Sequence, residues 1–153
     1  MLSISILEFL FYPHLMYPQK EHEVHEGRKR IDITFHNAAT TGFWEQIRTS
    51  PQLAASLVMI ECKNYTNDIK NPELDQMSGR LSNLRGWFGI VLCRRFVDKG
   101  LFVQRCKDTA ADGRGVIICL DDEDIIKMLT LVKEGNRDQV DEEMVKRYQK
   151  IIS

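Results

Sequence analysis

The chain predicts an α/β fold, a central mixed sheet of about five strands flanked by helices in three layers. Three observations predict it. Short apolar runs rich in β-branched residues, Leu57–Ile60, Gly89–Phe96 and Val116–Leu120, have the length of buried strands. Arg30–Phe35 alternates polar and apolar as a half-buried strand does. Between and around these runs lie apolar residues at helical spacing, bounded by cap residues and prolines. At 153 residues the chain (1–153) fits one such domain. Because it opens abruptly on core-type sequence, it also reads as a fragment of a longer polypeptide.

The first helix spans Leu2 to about Phe11, with Ile6, Leu7, Leu10 and Phe11 on one side, Ser3 as its cap and Pro13 as its stop. Glu23–Phe35 reads as a β-hairpin arm around Gly27. In its second half Ile31, Ile33 and Phe35 share a face, while Asp32 points the other way with Arg30 and Thr34. Gly42–Ser50 is a short helix carrying Phe43, Trp44 and Ile47, broken by Pro51. Ala54–Tyr65 is the next strand. Asn71-Pro72-Glu73 opens a helix running to about Leu84, whose polar face holds Gln76, Arg80 and Asn83. After the strands Gly89–Phe96 and Val116–Leu120, Asp121 caps a further helix with Asp124 placed as in a capping box. Gln139–Ile152 is a final amphipathic helix.

Composition narrows the class further. The chain is 43% hydrophobic and 28% charged, the balance of an ordinary globule rather than of a disordered or membrane-embedded chain. The apolar start, Leu2–Tyr17, is interrupted by Glu8, Pro13 and His14 and is too short to cross a bilayer. Cys62, Cys93, Cys106 and Cys119 lack CxxC spacing and read as reduced core residues, which places the protein in the cytoplasm. Net charge is only -1, but bases concentrate between Arg80 and Lys107 and acids in Asp121–Asp124 and Glu134–Glu143, which leaves room for a local phosphate-binding patch. There is no GxGxxG, P-loop or GxSxG, so nucleotide-cofactor and serine-hydrolase chemistry have no support. His22 and His25 form an HxxH, a poor spacing for one ion on a hairpin.

The chemistry concentrates in Glu61-Cys62-Lys63, at the end of the apolar run Leu57–Ile60. Alternation sends Glu61 and Lys63 one way and Cys62 back into the core. An acid and an amine in so hydrophobic a stretch are costly to bury unless they pair or bind something charged. With Asp32 as a second carboxylate the natural guest is a divalent cation, leaving the lysine to act on a water or a phosphate.

Asp32, a gap of 28 positions, then Glu61-x-Lys63, framed by a preceding helix and a following helix and strand, resembles the PD-(D/E)xK nuclease superfamily, with its restriction-endonuclease-like fold. The likeness runs from about Glu8 to Leu120. Ile31 stands where a proline often precedes the aspartate, and the gap requires the Gly42–Ser50 helix to be an insertion. The resemblance implies a metal-dependent endonuclease acting on DNA, with RNA as the other nucleic acid, in bacterial restriction or another DNA-processing role. It makes Asp32 and Glu61 ligands of Mg2+, or Mn2+ in its place, and Lys63 the residue that orients or helps deprotonate the attacking water. It also implies an additional acid from the first helix, here Glu8, and a helix glutamine beside the site, here Gln76. Arg80 one turn later suits a phosphate or, equally, a surface ion pair with Asp75 or Glu73. Arg28-Lys29-Arg30 either follows a nucleic-acid backbone or is solvated charge. A sequence-specific cutter of two strands implies a homodimer. Two competitors remain: a non-catalytic binding module of the same fold, and a structural protein in which Glu61 and Lys63 pair with the Arg28–Asp32 arm.

Overall fold

The computed structural model describes residues 2–25, 28–63 and 71–153, with the backbone alone at 2–3, 22–31 and 71–73. The element order is α1 (Leu2–Leu10), β1 (Leu15–His25), β2 (Arg28–Asn37), α2 (Gly42–Thr49), β3 (Leu57–Lys63), α3 (Asn71–Ser78), β4 (Phe88–Cys93), α4 (Lys99–Ala111), β5 (Val116–Leu120), α5 (Asp122–Lys133) and α6 (Asp138–Ile152). The strands form one sheet in the order β1-β2-β3-β4-β5, the first three antiparallel and the last three parallel. It is therefore an α/β fold on a five-stranded mixed sheet.

The two parallel crossovers place α3 and α4 on the same face. A Cβ on Gly89 would meet Met77 of α3 and the Leu81 side chain beyond it, and the Cys106 thiol of α4 interacts with that of Cys119 in β5. Register puts Gly89 and Cys119 on the side of the sheet that also carries Glu61. The other side carries Phe88, whose ring meets Phe43 and Trp44 of α2 edge-on at 5.8 and 5.9 Å. Phe11 and Tyr148 complete that aromatic cluster, so the segment after α1 and the face of α6 join α2 there. Helices thus cover both faces, compatible with three layers.

α2 interrupts an antiparallel pair, and one side chain explains how it is held. Buried Asn37 at the end of β2 donates from Nδ2 to the carbonyls of Trp44 and Ala55 at 2.8 and 3.0 Å, while its Oδ1 accepts from the Ala39 amide. Its amide group therefore fastens the start and finish of the insertion to the same strand end.

Several boundaries differ from the sequence expectation. β1 begins at Leu15 rather than Glu23, carrying a register shift between Met16 and Gln19 where Tyr17 adopts φ 53°. α3 stops at Ser78, not Leu84: Gly79 ends it, and the chain turns back through a bridge between Ser82 and Gly86. β4 ends at Cys93 rather than Phe96. α4 has no counterpart in the sequence expectation. It is started by Asp98, whose carboxylate accepts from the Leu101 amide, and it buries only Phe102, Cys106 and Thr109. α5 does open with the capping box of Asp121 and Asp124. The turn expected at Gly27 and the Asn71 cap lie outside the described residues and side chains.

Candidate functional site

The antiparallel register sets Asp32 of β2 directly opposite Glu61 of β3, and Arg30 opposite Lys63. Directly opposed residues point to the same face, and residues two apart on one strand share it. Asp32, Glu61 and Lys63 therefore emerge together, under the turn that follows α3. All three are buried, Glu61 completely. Lys63 is the last residue of β3 and Glu61 stands two before it, so the group sits at the C-terminal end of that strand.

Charge satisfaction here is dense. The Lys63 Nζ lies 3.0 Å from Glu61 Oε1. Arg80, in the turn beyond α3, donates from a single Nη1 to Asp32 Oδ2 at 2.9 Å and to Glu61 Oε1 at 3.2 Å. Because both oxygens touch one nitrogen, they are no more than about 6 Å apart. Of the two partners that sequence allowed Arg80 on the surface, Asp75 pairs instead with Arg114 at 3.0 Å. The carboxylates leave their mark on the thiol between Glu61 and Lys63. Burial first, then the charges of Asp32 and Glu61, push Cys62 up to about 12.

Burying ionised groups costs several kcal/mol each, and well-packed apolar residues of similar size often serve stability equally well or better. Two acids and a lysine buried on one face of a sheet, with Arg80 reaching them from the turn beyond α3, are therefore poorly explained as a stabilising device. Two carboxylates within reach of a common point supply hard oxygen donors, and Mg2+ is commonly held by one or two carboxylates with water completing its shell. These two carboxylates are donors of that kind, and the point they share is taken by Arg80 Nη1.

The remaining expected residues do not join this cluster through any described contact. Glu8 and Gln76 are exposed on α1 and α3, and among the described residues no three His, Cys, Asp or Glu side chains gather to hold a metal. Arg28, Lys29 and Arg30 lie on β2, with Arg30 beside Lys63, but their side chains are outside the described set, as are those of His22 and His25. The register adds a residue that sequence reasoning missed. Glu21 on β1 is the cross-strand neighbour of Asp32, so Glu21, Asp32 and Glu61 form a row across three strands, with Glu21 exposed at the outer edge. Little in the sequence signals it, because Gln19–Glu23 is polar throughout and carries no alternation that marks a strand.

No family model, curated protein or solved structure matches this chain. None of the helices in the described residues is long and apolar enough to cross a membrane.

Proposed function

We propose that the chain is a magnesium-dependent nuclease of the PD-(D/E)xK type, hydrolysing phosphodiester bonds in DNA. The observation that carries this reading is the meeting of Asp32 and Glu61 across β2 and β3, with the Lys63 amine 3.0 Å from the second carboxylate. Asp32 and Glu61 would hold the ion, which supplies Lewis-acid polarisation of the phosphate and a more acidic bound water. Lys63 donates a hydrogen bond beside those carboxylates and can orient the attacking water or stabilise charge on the phosphate. Arg80 carries a guanidinium able to take a phosphate oxygen once an ion balances the two acids. DNA is preferred to RNA on the sequence resemblance, and cutting both strands would call for two copies of the chain.

Purified protein incubated with supercoiled plasmid and Mg2+ or Mn2+ is expected to nick it, and Asp32→Asn, Glu61→Gln and Lys63→Met each to abolish nicking while remaining folded. Absence of nicking by the wild type on DNA and RNA alike overturns the assignment. A second reading draws on Arg80: among the described residues two acids already face two bases, as suits a non-catalytic module of the same fold. Calorimetric titration with Mg2+ separates the two. The nuclease has a site that Asp32→Asn removes, and the balanced module has none.

A further inference from the structure

On the far edge of the sheet from β1, the helices α4, α5 and α6 enclose a cavity of about 640 Å³ against β5. Each helix presents one stripe to it. Lys99, Val103 and Lys107 recur every four residues on α4; Asp124 and Lys127 lie one turn apart on α5; Glu143, Lys146, Arg147 and Lys150 follow each other down α6. Six cationic side chains thus line one space against two carboxylates. Apolar walls lie behind them, from Val103, Ile118 and Ile151.

The acids are fully engaged by the cations nearest to them. Asp124 takes Lys99 and Arg147, both at 2.6 Å, and Glu143 takes Arg147, Lys127 and Lys146 at 2.8, 3.2 and 3.4 Å. Asp121 adds a further carboxylate at 2.8 Å from Lys99. Lys107 and Lys150 are left over, making no ion pair among the described residues. Gathering like charges around a concave surface raises its potential and invites an anion. Lysine ammonium groups on flexible stems suit phosphate as point charges. The volume falls within the range of small-molecule sites, and apolar walls beside a charged rim fit a ligand with an apolar body and a polyanionic end.

We propose that this cavity binds a nucleoside polyphosphate, its phosphates held by Lys107, Lys150 and the lysines beside them and its base laid on the apolar wall. The site is separate from the Asp32 and Glu61 cluster and does not depend on the nuclease reading. Both unpaired lysines sit on helix surfaces, so charge reversal there leaves the core untouched.

The test is calorimetric titration of the whole chain at low salt in EDTA, which removes any metal-bridged contribution, with ATP, pyrophosphate and adenosine as probes. ATP is expected to bind, pyrophosphate more weakly and adenosine not measurably, and Lys107→Glu with Lys150→Glu to weaken ATP by at least roughly tenfold. Thermal unfolding of the double variant, expected to match the wild type, certifies that the loss is local. No binding of ATP, or equal binding by wild type and double variant, overturns the proposal. Equal affinities for ATP and pyrophosphate remove the role of the apolar wall and overturn it too. So does a short DNA duplex that displaces ATP and loses affinity in the same double variant, because the surface would then belong to nucleic acid.

Discussion

Glu61 carries its carboxylate in the interior of a sheet, where Lys63 and Arg80 stand within 3.0 and 3.2 Å of one of its oxygens and offset the cost of burying it. Removing either base unbalances a buried acid. Lys63→Met is expected to destabilise the fold by about 3 kcal/mol in urea unfolding while retaining its circular dichroism, because Arg80 still reaches Glu61. Arg80→Gln is more informative. It frees the region shared by Asp32 and Glu61, so the variant should lose thermal stability in EDTA and regain it with millimolar Mg2+, by mass action of an ion that binds the folded state alone. A melting temperature indifferent to Mg2+ would mark the cluster as a closed structural network. Cys62 offers an internal reporter of the same electrostatics. Its thiol is held near 12 by burial and then by the two carboxylates, so Asp32→Asn should lower that value while burial keeps it above the ordinary thiol range. The pH dependence of alkylation, followed at Cys62 by peptide mass, measures the change.

At the scale of elements, the position of Arg80 depends on how closely α3 and its following turn lie on the sheet. Gly89 permits that approach: a Cβ there would stand 2.5 Å from Met77 Cε and 3.3 Å from the Met59 carbonyl. Gly89→Val should therefore cost about 1–3 kcal/mol by overpacking. It should also lift the turn bearing Arg80, so that nicking falls together with stability, whereas a substitution on exposed Gln76 would leave stability unchanged. Such dependence on a bare backbone position is what sequence conceals. The strands were legible because apolar runs such as Val116–Leu120 are buried on both faces, and the start of α5 because Asp121 and Asp124 satisfy each other's amides locally. α4 was not legible, since its buried stripe is only Phe102, Cys106 and Thr109 and its other faces mix Leu101 and Val103 with charged, polar and small residues. β1 was cut short because Pro18 and the wholly polar run Gln19–Glu23 carry no alternation that would mark a strand back to Leu15. Alternation set Glu61 and Lys63 on one face, the meeting with Asp32 followed from the family resemblance, and closure by Arg80 depends on a turn where a continuous helix was expected.

Across the whole molecule, charged side chains join elements that are distant in sequence. Arg137 of the segment entering α6 donates to the carbonyls of Phe9, Leu10 and Tyr12, closing the end of α1 more than a hundred residues away. Arg147 joins α6 to α5 through Asp124, and Lys99 joins α4 to the same carboxylate. Burial alone would raise Asp124, but hydrogen bonds from Lys99 and Arg147 outweigh it and hold the group at about 2. Glu143 is likewise brought to about 2, first by Arg147, against burial, and then by Lys127 and Lys146. Both values lie below those of an unfolded chain, so the native state releases these protons more readily. Their contribution to stability is then complete above the ordinary carboxylate range and is lost as pH falls from about 5 towards 2. Arg147→Met removes the partner common to both acids and should cost on the order of 3 kcal/mol at pH 7. Because protonated carboxyls no longer need that guanidinium, the difference between wild type and variant should shrink steadily below pH 5 and nearly vanish at pH 2, as read by urea unfolding at each pH. A difference that stays constant across that range would mean that Arg147 holds α6 by the packing of its stem rather than by its charge.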